Sequence, residues 1–273
     1  MRPLLVFDTS TDHLAIGVGD LDSPDAVLAA ADMPAPRAAN TMLLSAVERV
    51  LAEAGLMPDS IAAVACGRGP GSFTGVRIGI ATAKGLAHGA GVPLSGFGTL
   101  DAVAWRVWRA GETRDRRLLG VLGDAMRGEV YPALFEVHTA GVRRCAVDRV
   151  ASPGDVAREW ADYRDELTLA GAALIKHRAV FDEVIGERLC IARERVWVPD
   201  GRSLLDAAWA AQGASCVRTV SGLERAAAYQ LAHPGVLLPV YTRLSDAEEA
   251  ERRASDVAAP PQSGVIGPGV GER

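Results

Sequence analysis

Apolar positions fall into short unbroken runs separated by polar turns near the start of the chain. Leu4-Leu5-Val6-Phe7 is followed, across Asp8-Thr9-Ser10-Thr11-Asp12, by His13-Leu14-Ala15-Ile16-Gly17-Val18. Runs of that length bounded by turn residues predict two strands joined by a tight turn, and Ala26-Val27-Leu28-Ala29-Ala30 predicts a third. The period then changes. Met42, Leu43, Leu44, Val47, Val50, Leu51 and Ala54 recur at helical spacing, and Gly55 is placed to end that helix. Ile61–Ala65 predicts another strand, which runs into Gly67-Arg68-Gly69-Pro70-Gly71-Ser72-Phe73-Thr74-Gly75. A second helix is expected from Val76 to His88, stopping at Gly89 or Gly91. Val92–Phe97 returns as a strand, and Thr99 or Asp101 is placed to cap a third helix.

The opening pattern then recurs. Leu118–Leu122 is an apolar run, Gly123-Asp124-Ala125-Met126-Arg127-Gly128 a turn, and Glu129–Val137 a returning strand. Asp8 and Asp124 thus occupy equivalent turns, and an internally duplicated α/β protein is expected. Pro132 sits awkwardly there, because proline cannot donate to the ladder of a central strand. Further on, Asp155–Asp165 and Ser203–Gln212 read as helices, and Leu167–Gly171 and Arg195–Val198 as strands. Leu237–Tyr241 is a late apolar segment. From Ser245 the chain turns charged and then rich in Ala, Pro and Gly, a composition that offsets little ordering entropy, so a mobile tail is expected.

At 273 residues and 49% hydrophobic, the chain can fill two compact lobes or one large α/β domain. No apolar run approaches the ~20 residues that span a bilayer, and the N-terminus has too short an apolar stretch for a secretory signal. A cytoplasmic protein is expected. The net charge is −5, and Lys84 and Lys176 are the only lysines, which disfavours binding of nucleic acid by this chain alone. Cys66, Cys145, Cys190 and Cys216 stand far apart with no Cys-x-x-Cys pair, as buried reduced thiols would.

Chemistry concentrates in the glycine loop. Glycines permit close backbone approach, and a helix N-terminus presents free N–H groups, so such a loop can hold an anion. Its glycines can equally serve only a tight strand-to-helix turn. The loop is not a Walker loop, since Gly69 is followed five places later by Thr74, and Thr74 also stands where a dinucleotide fingerprint needs its third glycine. Ser72 lacks a nucleophile elbow because Pro70 replaces its first glycine. No two of the histidines at 13, 88, 138, 177 and 233 lie within four positions, so no local metal pair exists. Asp8 and Asp124 either position a phosphate or metal-bound water in a cleft, or hold their own turns through side-chain hydrogen bonds.

In identity, order and spacing, several segments together resemble the TsaB (YeaZ) family. These are Leu5-Val6-Phe7-Asp8-Thr9-Ser10-Thr11, Gly69-Pro70-Gly71-Ser72-Phe73-Thr74-Gly75-Val76-Arg77-Ile78-Gly79, Ala83-Lys84-Gly85-Leu86-Ala87, Asp124–Tyr131 and Pro239-Val240-Tyr241-Thr242-Arg243. The resemblance covers residues 3–245. It implies a two-lobed actin/hexokinase/chaperone-ATPase fold with duplicated mixed-sheet lobes: residues 1–103 as a partner-binding lobe, 104–245 as the second, and 246–273 as the tail. It further implies a non-catalytic scaffold that activates TsaD, the threonylcarbamoyl transferase, together with the ATPase TsaE, in modifying the adenosine next to the anticodon of tRNAs that read codons beginning with A. On that reading tRNA is reached only through the complex, no metal or cofactor is bound by the chain alone, and nucleotide belongs at the joint with TsaD. A homodimer through the first lobe would compete with TsaD.

The resemblance assigns no catalytic residue. Asp8, Thr9, Ser10 and Asp124 become candidate vestigial phosphate-loop residues. Gly69, Gly71, Ser72, Thr74, Gly75, Arg77, Gly79, Ala83 and Lys84 become candidate loop and partner-interface residues, with Ala83 expected to point outward. The chain departs from the family at Arg37-Ala38-Ala39-Asn40, where a histidine is usual, and at Met126, where the turn usually carries arginine. A stand-alone small-molecule kinase or ATPase of the same fold is the alternative.

Overall fold

The computed structural model describes residues 1–113, 116–164, 166–186, 189–213 and 237–240. The expected tail, Tyr241–Arg243, Cys216 and His233 lie outside the described residues.

Strands β1 (Pro3–Asp8), β2 (His13–Asp20) and β3 (Ser23–Pro34) form an antiparallel meander. Helix α1 (Ala39–Glu53), strand β4 (Ala63–Gly67), helix α2 (Phe73–Ala90) and strand β5 (Leu94–Phe97) follow. β4 and β5 add parallel strands on the far side of β1, giving the order β3-β2-β1-β4-β5. Helix α3 (Thr99–Arg109) leads to the second half, and the sequence of elements repeats. There, β6 (Leu118–Asp124), β7 (Val130–His138) and β8 (Gly141–Arg144) form the meander. Helix α4 (Pro153–Trp160), strand β9 (Leu167–Ala170), helix α5 (Leu174–Ile185) and strand β10 (Cys190–Ile191) complete a sheet ordered β10-β9-β6-β7-β8. Helix α6 (Gly201–Gly213) stands after β10 as α3 stands after β5. The two halves are the duplicated mixed-sheet lobes of the expected fold.

β1 and β4 are buried on both faces, which is why they read as continuous apolar runs instead of alternating ones. Period two still sorts their side chains. Leu5, Phe7, Val64 and Cys66 join the core under α1 and α2, while Leu4, Val6, Ala63 and Ala65 join the core that holds Leu204, Leu205 and Trp209 of α6. The linking helices cross over between halves. α3 packs on β6, β7 and β8, α6 packs on β1, β2, β3 and β5, and the two helices pack on each other. The expected division at 103/104 therefore falls inside α3, and α6 covers the sheet of the first lobe. Gly201 makes that crossing close: a Cβ there would lie 2.0 Å from the Ile16 carbonyl of β2.

Pro132 lies within β7, opposite Leu122 of β6. Its ring nitrogen faces the outer side, as the Val130 N–H does in bonding to Ala151. On that side β8 begins pairing only at Phe135, so no ladder bond is lost. The Arg195–Val198 segment is not a strand. Glu194–Val196 forms a 3₁₀ turn, closed by the Trp197 indole N–H donating to the Ala192 carbonyl at 2.9 Å. β8, α5 and β10 are additional to the elements expected from the sequence, and β3 extends well beyond Ala26–Ala30.

Candidate functional site

The glycine loop leaves the end of β4 and enters α2, whose N-cap is Ser72; its hydroxyl accepts the Gly75 N–H at 3.2 Å. The turn after β1 lies directly on this loop. Ser72 N–H donates to the Ser10 carbonyl at 2.7 Å, and the Thr9 hydroxyl donates to the Gly75 carbonyl at 2.7 Å. Cβ atoms added at Gly71, Gly75 and Gly79 would lie 2.3 Å from Ser10 O, 2.1 Å from Thr9 O and 2.5 Å from Thr9 Oγ1. The glycines make room for the chain's own β1–β2 turn, and Asp8, Thr9 and Ser10 are buried there at 1–3% exposure.

Asp8 accepts the Ser10 N–H at 2.6 Å and the Ser10 hydroxyl at 2.5 Å on Oδ1, and contacts the Thr99 hydroxyl at 2.6 Å through Oδ2. Burial pushes this carboxyl above the usual range, against the lowering effect of its hydrogen bonds. Thr99 opens α3, and its N–H donates to the Gly69 carbonyl at 2.9 Å, so one knot ties β1, the glycine loop and α3. Asp124, its topological equivalent, lives in a different medium. Burial alone would raise its carboxyl, but the Lys176 ammonium and the Met126 N–H (2.9 Å) hold it below the usual range. Met126 and Arg127 in that turn have left-handed φ angles of 62° and 49°, and Met126 is exposed.

Around the helix axis, α2 divides its small residues. Gly75, Val76, Gly79, Ile80, Ala83 and Ala87 face inward, and Ala83 is fully buried. The expected outward orientation of Ala83 is corrected accordingly: it shares a helical stripe with Val76, Ile80 and Ala87 at i, i+4, i+7 and i+11. The outward face carries Phe73, Thr74, Arg77, Ala81, Gly85 and His88, with Lys84 half-buried at its margin. Among the described residues, nothing outside the helix's own backbone lies within 4 Å of the Cβ positions of Gly85 and Gly89. The Arg77 guanidinium sits 3.6 Å over the Phe73 ring, and Leu44 of α1 is 56% exposed. Gly69 and Ser72 remain in the loop itself.

A contact that the sequence does not announce closes the loop from outside. Arg68 Nε donates to the Leu238 carbonyl at 2.6 Å, Val240 N–H donates to the Arg68 carbonyl at 3.0 Å, and Leu237 is buried in the core beneath α1 and α2. The late apolar segment Leu237–Tyr241 is visible in the sequence, but not that it returns to the glycine loop. Cys66 and Cys145 are buried and unpaired; burial raises both thiols, Cys145 to about 11. Cys190 is free and half-buried.

Comparison with known proteins places this geometry. The TsaB protein of Escherichia coli is 39% identical over 139 residues, covering 51% of this chain and 57% of that protein. The Bacillus subtilis TsaB is 25% identical over 185 residues, 68% of this chain and 77% of that protein. The chain spans about half the length of the first curated relatives it matches, 57% in Escherichia coli and 45% for an uncharacterized Mycobacterium leprae protein. Among solved structures, YeaZ from Pseudomonas aeruginosa superimposes with a TM-score of 0.69 at 27% identity, over 88% of this chain and 100% of that chain. Residues 34–251 match the family model for TsaD, tRNA N6-adenosine threonylcarbamoyltransferase. With most of its length matched in this way, the chain belongs to the TsaB/TsaD family, on its TsaB (YeaZ) side.

Proposed function

We propose that the chain is a non-catalytic partner subunit that pairs with the transferase TsaD and, with the ATPase TsaE, supports threonylcarbamoyl transfer to the adenosine next to the anticodon of tRNAs reading codons that begin with A. The observation that carries this reading is the outward face of α2. Ala81 and Gly85 leave the helix backbone open to close approach, and Phe73 and Leu44 offer apolar anchors beside it. Neither repeated aspartate is offered to a substrate: Asp8 is consumed inside the fold, and Asp124 is paired with Lys176. With a net charge of −5, the chain meets tRNA through the complex. Any nucleotide belongs at the joint with TsaD, and without TsaD the same face supports a competing homodimer.

The test uses the full chain with purified TsaD and TsaE. Wild type should form a complex with TsaD and restore tRNA modification. Ala81 is exposed, so Ala81→Glu should keep the circular dichroism of the folded chain. An unpaired charge buried in the contact costs about 3 kcal/mol, so TsaD affinity should fall on the order of 100-fold. A folded variant that binds normally would place the interface elsewhere. Steady ATP hydrolysis or phosphoryl transfer by the isolated chain would overturn the non-catalytic reading.

A further inference from the structure

The side chains of Asp8, Ser10 and Thr99 form a closed ring of oxygen contacts. Asp8 Oδ1 meets Ser10 Oγ at 2.5 Å, Ser10 Oγ meets Thr99 Oγ1 at 2.7 Å, and Thr99 Oγ1 meets Asp8 Oδ2 at 2.6 Å. Each contact is at hydrogen-bond distance, and a bond needs one hydrogen between its oxygens. The two hydroxyls supply two hydrogens for three contacts. With an ionised carboxylate, every arrangement leaves one pair of oxygens facing lone pair to lone pair at 2.5–2.7 Å, in a site whose three residues are 1–2% exposed.

We propose that Asp8 is a neutral carboxylic acid whose proton is the third hydrogen of this ring, making it a positioning residue that ties the partner-facing helix to α3. The circuit can close in either sense; the one that keeps Oδ1, which accepts the Ser10 N–H, as the carbonyl oxygen has Asp8 Oδ2–H donating to Thr99 Oγ1, Thr99 Oγ1–H to Ser10 Oγ, and Ser10 Oγ–H to Asp8 Oδ1. Oδ1 also accepts the Ser10 N–H, so the neutral acid leaves no ring oxygen or hydrogen unmatched. Among the described residues, the partners that lower Asp8 are the Ser10 and Thr99 hydroxyls and the Ser10 N–H, with no guanidinium or ammonium among them. On the neighbouring elements, Cys66 of β4 is raised by burial and by Asp8 and lowered by Arg68 of the glycine loop and Lys84 of α2, and α3 carries Asp101 two positions after Thr99. Asp101 is itself held by Arg144. Burial raises the Asp8 carboxyl, in agreement with the hydrogen count. A neutral Asp8 cannot serve as a general base or as an anionic metal ligand. Its ionisation leaves both hydroxyls donating to the carboxylate and breaks the direct Ser10–Thr99 link, one of the contacts between α3 and the turn on which α2 rests.

Infrared spectroscopy of the full chain, unlabelled and with ¹³C-aspartate, tests the protonation directly. At pH 7 a protonated-carboxyl band that shifts with the label is expected, and it should vanish in Asp8→Asn. Asp148, also raised by burial, is the control: Asp148→Asn should leave the Asp8 band in place. If Asp8→Asn does not fold, Thr99→Val keeps the carboxyl while removing one ring member and should shift the band. Where Asp8→Asn folds, its amide N–H supplies the missing hydrogen, so it should melt near wild type while Asp8→Ala melts lower. Absence of an Asp8-dependent band at pH 7, or a band unmoved by Thr99→Val, overturns the proposal.

Discussion

Two glycines of one helix give opposite outcomes for the same substitution. At Gly75 a Cβ would lie 2.1 Å from the Thr9 carbonyl, whereas at Gly85 no neighbour among the described residues lies within 4 Å. Gly75→Ala must push the turn off α2 and should cost about 1–3 kcal/mol. Gly85→Ala gains helix propensity in open space and should add about 0.5–1 kcal/mol. Urea unfolding midpoints measure both; effects of the same sign would show that the turn does not rest on α2. Asp8 adds a pH dependence at the same place. Its folded carboxyl is raised above the unfolded one, so the native state holds more protons across that interval. Asp8's contribution is therefore complete at acidic pH and falls as pH rises through the folded value. Melting temperature against pH should decline more steeply upward in wild type than in Asp8→Asn. The sequence made Asp8, Ser10 and the loop glycines visible as a turn and a strand-to-helix junction. It did not show that they touch, because Gly75 and Thr9 stand 66 positions apart and only the β1–β4 pairing brings them together.

At the scale of elements, α3 and α6 are joined by charges as well as apolar packing. Asp206 of α6 is 3% exposed in its side chain and receives Arg109 of α3, at 2.7 Å from Nη2, together with Arg202 at 3.3 Å. Arg202 and Arg109 also reach Asp25 of β3, which is 90% exposed. Asp206→Ala removes the shared acceptor of two partly buried guanidinium groups and should cost about 2–3 kcal/mol in the unfolding midpoint. Asp25→Ala should produce no measurable change, since its carboxylate is solvated. A large Asp25 effect with a silent Asp206 would reverse the assignment. Elements were legible where one physical signal dominated. β1, β2, β4 and β6 are apolar runs between turns, and α1 ends at Gly55 with φ 69° as its spacing required. β8 was hidden because Gly141-Val142-Arg143-Arg144 carries one large apolar residue, and α5 because Lys176-His177-Arg178 interrupts its stripe of Leu174, Phe181 and Ile185.

For the whole molecule, the duplication could be read from two matching hairpins, but the exchange of linking helices could not. No local pattern says that an apolar stripe near residue 205 covers a sheet begun at residue 3. That exchange makes the lobe bearing the proposed partner face dependent on chain far downstream. Leu204, Leu205 and Trp209 cover Leu4, Val6 and Phe97 on one side of the first sheet, and Leu237 enters the core on the other. Burying a leucine contributes about 1.5–3 kcal/mol, so losing these side chains removes roughly 5 kcal/mol or more. A domain's whole margin is about 5–15 kcal/mol. A fragment of residues 1–113 contains all five strands of the first sheet with α1, α2 and α3, yet it lacks α6, and Arg109 in it has lost Asp206. It should therefore fail to reach a cooperative native state. The expected observations are dye binding to exposed apolar surface, poorly dispersed amide resonances and no sharp unfolding transition. It should also bind TsaD far more weakly than the full chain, although it carries every residue of the outward α2 face. A cooperatively unfolding fragment that binds TsaD at full strength would show that the first lobe stands by itself and that α6 is only an external brace.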